Sequence, residues 1–152
     1  MAGKSDKFEY DLLKQVFNGT AITNVSATGG TTSWWIGLLA SDPTDAGSTA
    51  SEATYTNYVR YQTDRSTQAT TPYGWNVSSG TGATNASAAP VGNCDFAQCT
   101  TASAVVLAYF GVFPTSNATA SSAIYWGTIS PTIALGANVT PRLTTASSIT
   151  ED

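Results

Sequence analysis

The sequence contains no histidine, one methionine, two cysteines and only sixteen charged residues among 152, six basic and ten acidic. Each shortage closes off a kind of chemistry. Without imidazole there is no histidine-based triad, no imidazole metal ligand and no side chain that titrates near neutral pH at its ordinary value. A net charge of −4 supplies no basic field for a phosphate backbone, so nucleic acid is not an expected partner. Two thiols do not complete a tetrahedral metal site. Cys94 and Cys99, in Asn93-Cys94-Asp95-Phe96-Ala97-Gln98-Cys99, read as reduced structural thiols or a possible local disulfide. No apolar run reaches the ~18–20 residues of a membrane span, and the N-terminus lacks the basic-then-apolar pattern of a signal peptide. The product is therefore expected to be made in a cytoplasm, with no membrane partner.

What fills the chain instead is uncharged polarity: 25 Thr, 17 Ser, 22 Ala and 13 Gly. The length suits a single domain with a real core. Charge is concentrated at one end, where Lys4, Asp6, Lys7, Glu9, Asp11 and Lys14 account for six of the sixteen charges. The same segment carries the one helical period. Phe8, Leu12, Leu13, Val16 and Phe17 recur as an apolar stripe. Ser5 suits an N-cap and Asn18-Gly19 a left-handed stop, which predicts a short amphipathic helix over about 5–17. Residues 1–19 thus read as a helical arm. Its five apolar residues are a candidate interface that packs either on the domain's own sheet or on a neighbouring subunit.

From residue 20 to 152 the period changes to two, and an all-β body is expected, a β-sandwich or jelly roll. Strands are predicted at Trp34–Leu39, Tyr58–Gln62, about Trp75–Val77, Val105–Phe113 and Ile124–Ile129, with shorter ones at Thr132–Leu135, Asn138–Leu143 and Ala146–Thr150. The Val105–Phe113 run is apolar on both alternating faces, which predicts a central strand. Two polar stretches, about 44–56 and 64–90, exceed ordinary hairpin loops.

No catalytic, cofactor or metal residues emerge. The carboxylates outside the helix, Asp42, Asp45, Glu52, Asp64, Asp95, Glu151 and Asp152, do not sit in apolar stretches that would tune an acid–base pair. Six asparagines, Asn18, Asn24, Asn76, Asn85, Asn117 and Asn138, begin Asn-x-Ser/Thr triplets, which the hydroxyl-rich composition explains. The aromatics Trp34, Trp35, Trp75, Trp126, Tyr55, Tyr58 and Tyr61 suit core and interface positions, or else a sugar-stacking platform.

The opening Met1-Ala2-Gly3-Lys4-Ser5-Asp6, the strand and turn from Trp35 to Asp45, Tyr58-Val59-Arg60, Tyr109-Phe110-Gly111-Val112-Phe113, Ile124-Tyr125-Trp126-Gly127 and the closing Ile149-Thr150-Glu151-Asp152 occur in that order. Together they resemble a family of small bacteriophage virion proteins, labelled tail fibre proteins and related to capsid decoration proteins. The resemblance implies a non-enzymatic virion component with a β-sandwich or jelly-roll body, commonly a homotrimer, and it brings no catalytic residues. A capsid decoration (cement) protein bound to the major capsid protein is the favoured role, because no shaft-like repeat or second domain is present. A tail or fibre component is the alternative, and a carbohydrate-binding module reading host glycans is a third.

Overall fold

A computed structural model describes residues 3–22, 25, 33–78, 86–101, 104–117 and 122–151. Asn24, Asn85, Asp152 and residues 79–85 of the second polar stretch lie outside them. The elements in order are β1 (Gly3–Lys4), α1 (Asp6–Asn18), β2 (Ser33–Leu39), β3 (Tyr61–Asp64), β4 (Trp75–Ser78), β5 (Ala86–Pro90), β6 (Cys94–Asp95), β7 (Val106–Phe113), β8 (Tyr125–Ala134), β9 (Arg142–Leu143) and β10 (Ile149–Glu151). Their pairing is antiparallel throughout. The fold is all-β with one short N-terminal helix, as the change of period predicts.

Five strands form the main sheet in the order β1-β8-β7-β2-β3, three form a second sheet, β10-β5-β4, and β6 pairs with β9. The apolar run at β7 is central, as expected. Register places Trp34, Ile36, Leu38, Phe110, Val112 and Tyr125 on one face of the main sheet, and Trp35, Gly37, Leu39, Gly111, Phe113 and Trp126 on the other. The first face meets the second sheet and the β6–β9 ladder. Ile36, Leu38, Phe110 and Val112 share one core cluster with Trp75, Cys94, Phe96, Leu143 and Ile149. The arrangement is sandwich-like.

Three strand predictions shift for physical reasons. The 58–62 strand begins only at Tyr61, because Tyr58 and Arg60 are drawn into a buried polar cluster. Thr132–Leu135 is largely absorbed into β8. Strict alternation along β7 fails between Leu107 and Tyr109, where β8 advances from Thr128 to Ile133 against two residues of β7. Leu107 consequently joins the cluster of Phe110 and Val112 instead of siding with Tyr109 and Phe113. The stretch 64–90 also holds β4 and β5, which pair with each other from Trp75↔Pro90 to Ser78↔Ser87.

The second face is closed by the segment before β3. Glu52 and Arg60 form a bidentate pair with both N–O distances 2.8 Å and side chains 4% and 1% exposed. Arg60 Nη1 also donates to the Thr115 carbonyl at 2.9 Å, and the guanidinium lies 3.5 Å from the Phe113 ring centroid. The Tyr58 hydroxyl donates to Glu52 Oε1 at 3.0 Å and accepts from the Leu38 N–H at 2.9 Å. Burial, then the Glu52 carboxylate, pushes the Tyr58 hydroxyl far above its ordinary range. Room for this cluster comes from facing glycines: a Cβ at Gly37 would lie 2.8 Å from both Glu52 Oε1 and Phe113 Cε2, and one at Gly111 would lie 2.8 Å from Phe113 Cε2.

Candidate functional site

The helical arm is built by local chemistry. Ser5 is extended (φ −78°, ψ 147°) and its Oγ accepts from the Phe8 N–H at 3.4 Å. Asp6 and Glu9 in the first turn favour the positive end of the helix dipole. Gly19, at φ 65°, ends the helix with its N–H on the Lys14 carbonyl. The start of α1 is tied to the body at three places. The Ser5 N–H donates to Ile124 O at 3.3 Å, the Asp6 N–H donates to Asp45 O at 2.9 Å, and β1 pairs with β8. Phe8 is buried, its ring 5.3 Å from that of Tyr125 in an edge contact.

Of the five stripe residues, only Phe8 packs on the chain's own sheet. Leu12, Leu13, Val16 and Phe17 are 40, 56, 65 and 78% exposed, and Tyr10 is 61% exposed. The alternative that the whole stripe packs on its own sheet is thereby excluded. The reason is directional: the first turn is tied to the body and the chain returns to the core at Ile22, and between these points the later turns of α1 turn their apolar side to solvent. The charged side of α1 is satisfied within the helix, with Lys7 Nζ 2.6 Å from Asp11 Oδ2 and Lys14 Nζ 5.2 Å from the Tyr10 ring centroid.

Beside the arm, the main sheet and the second sheet part to leave an open cleft of about 510 Å³. Phe8, Trp34, Val112, Ile124 and Tyr125 line it from one layer, and Trp75, Val77, Ala88 and Ile149 from the other. Among the described residues Arg65 is the one charged group in the lining, and its guanidinium sits 5.0 Å from the Trp34 ring centroid. Nothing in the sequence pattern reveals this cleft, since its walls come from residues between 8 and 149.

The four tryptophans do not gather into a platform. Trp34 and Trp35 are adjacent in β2 and lie on opposite faces. Trp75 is buried with Nε1 donating to Thr63 Oγ1 at 3.0 Å, and Trp126 is buried beside β1. A flat sugar-stacking surface is not formed by these residues, which weakens the glycan reading.

The possible disulfide is not present. Cys94 and Cys99 are both free and buried. Each is held in its own pairing: Cys94 lies opposite Leu143, and Cys99 bridges Val139. Cys99 Sγ donates to the Thr101 carbonyl at 2.9 Å. Burial, then the Asp95 carboxylate, pushes the Cys94 thiol up to about 12. Asp95 is paired with Arg142 at the surface. Among the described residues no group of three or more His, Cys, Asp or Glu is placed to hold a metal ion, and no helix is long and apolar enough to cross a membrane.

The buried Glu52–Arg60 pair is the feature that the sequence reading missed. Its one signal is an arginine inside Tyr58-Val59-Arg60-Tyr61 in a chain with so few charges. What the geometry presents is a helix with an exposed apolar stripe beside an apolar cleft.

The chain matches the family described as podophage GP4 fiber I protein gp80 over residues 3–148. No curated protein matches the chain.

Proposed function

The chain belongs to the podophage GP4 fiber I protein gp80 family, a virion structural family, and from that premise we propose that it is a fibre-associated subunit that docks through α1. The family's description names a fibre, so the fibre position, the alternative in the sequence reading, now has the better support of the two virion roles. The observation that carries the docking role is the exposed run Leu12, Leu13, Val16 and Phe17 on a helix that buries Phe8 alone among its own residues. Apolar surface of this kind is worth roughly 25 cal/mol per Å² once covered, and contiguous exposure of it marks interaction sites.

The role requires binding and no chemistry. A subunit that recognises only the assembled particle stabilises it by mass action, and several arms on one oligomer multiply the effect through effective concentration. Self-association, as a homotrimer in the terms of the resemblance, belongs to this proposal, with particle proteins as the other partners. Gold-labelled antibody against the protein, applied to intact particles and imaged by cryo-electron microscopy, tests the position. Label confined to fibres is the expected result. Label spread over the shell would replace the fibre role with that of a cement protein on the major capsid protein, and unlabelled particles would overturn both.

A further inference from the structure

We infer that α1 of one protomer seats its apolar stripe in the open cleft of a second copy, in a head-to-tail contact between the arm of one chain and the sandwich edge of the next. This goes beyond the fibre assignment and does not depend on where in the particle the protein sits.

Three observations converge on a second copy as the occupant. The first is shape. Leu13, Val16 and Phe17 recur at i, i+3 and i+4, with Tyr10 one turn earlier, the anchor spacing of a helix laid in a groove. The cleft, at about 510 Å³, lies within the ~300–1,000 Å³ of sites that enclose a ligand of several side chains' bulk. Of this stripe a chain places only Phe8 in its own cleft. Phe8 and the bonds from Ser5 and Asp6 fix the start of α1 at the rim, and the stripe beyond it is exposed.

The second is charge. At 3.6 residues per turn, Asp6 and Glu9 fall within the apolar arc of α1, whereas Lys7 and Lys14 fall on the opposite side. The docking face is thus apolar and acidic. Among the described residues the cleft is lined by apolar and hydroxyl side chains and one cation, Arg65.

The third is area. Large aromatic side chains present on the order of 150–250 Å² when open and aliphatic ones somewhat less, so Tyr10, Leu12, Leu13, Val16 and Phe17, at 40–78% exposure, offer roughly 500 Å². Covering a similar area of cleft gives roughly 1,000 Å² per contact, at the threshold of a specific interface, and a reciprocal pair gives about 2,000 Å². A closed dimer or ring, in which every arm and every cleft is used, is therefore stable where an isolated partner helix is not.

The test uses the full-length protein in analytical ultracentrifugation. Phe17→Glu disables the arm and Val77→Glu the cleft; both residues are highly exposed, and circular dichroism checks that the fold survives. The wild type is expected to associate, and each variant to lose affinity by at least about tenfold. The discriminating step mixes the two variants, which together retain one intact arm and one intact cleft. Association that returns only in the mixture, weaker than that of the wild type because one contact is made in place of two, is the expected result. A monomeric wild type, or variants that do not complement, overturns the inference. Photoreactive benzoylphenylalanine at position 17, in a mixture of ¹⁴N and ¹⁵N protein, gives a second readout. Mixed-isotope crosslinks to residues 75–78 or 86–88 support the contact, and crosslinks to a second α1 or within one chain overturn it. An associating protein absent from fibres would refute the fibre position alone, and a protein that labels fibres and self-associates without crosslinks from position 17 to the cleft would refute this contact alone.

Discussion

Substituting Glu52 by Ala strips the Arg60 guanidinium of the carboxylate it binds through two nitrogens, while Phe113 and Thr115 still hold it in the interior. Breaking a buried pair from one side costs about 3–5 kcal/mol, because the remaining charge has lost its counterion out of water. Glu52→Ala is expected to lower the urea midpoint accordingly. Glu52→Leu combined with Arg60→Met is expected to lower it far less, since no orphaned charge remains; equal losses in the two variants would show that the pair contributes through something other than its charge. A second expectation concerns pH. An ordinary thiol loses its proton near pH ~8.5, whereas Cys94 in the fold keeps it to about 12. Across that window the native state holds more protons than the unfolded chain, so stability is unaffected below it and falls as pH rises through it. Burial likewise raises Tyr55 from 10.0 to about 12, with the same sign. The urea midpoint should be lower at pH 10 than at pH 7, and the drop smaller in Cys94→Ala. A thiol reagent should meet no reactive cysteine until the protein unfolds; a fast native reaction would contradict the burial of both.

At the scale of the element, α1 and β7 stand at opposite extremes. β7 is paired on both sides and has five buried residues from Leu107 to Phe113, while α1 buries Phe8 alone. Amides of α1 beyond Phe8 should therefore exchange with solvent by local opening, much faster than those of β7, which require global unfolding. Ser5→Ala removes the cap bond to Phe8, an interaction of ~1 kcal/mol. It should accelerate exchange in α1 while leaving β7 unchanged, as hydrogen–deuterium exchange with mass spectrometry would show. The same contrast explains what was legible in the sequence. The limits of α1 are set by Ser5 and Gly19, both local, and they read correctly to within a residue. β2, β7 and β8 announce themselves by apolar runs. β1, β5 and β6 do not, because Gly3–Lys4, Ala86–Pro90 and Cys94–Asp95 owe their extended form to the partner strand and carry little strand propensity of their own.

For the molecule as a whole, the arm meets the body through the β1–β8 pairing, buried Ser5 and Phe8, and it is expected to be separable. Among the described residues up to 19, Phe8 alone enters the core cluster. A chain of residues 20–152 is expected to keep its β-rich circular dichroism and a cooperative transition, at a cost of about 3–5 kcal/mol for the lost aromatic. Loss of cooperative unfolding would show that β1 and α1 are integral to the body. The candidate site was only half legible for a related reason. The stripe is a local pattern in one helix, whereas the cleft and the Glu52–Arg60 pair exist only once strands distant in sequence are brought together. All three lysines of the chain, Lys4, Lys7 and Lys14, lie on the arm or at its root, so amine-directed reagents address no side chain of the body. Immobilising the protein through its amines would anchor it by the arm and mask self-association. A dye attached by the same chemistry would sit beside the stripe and respond when that helix is covered.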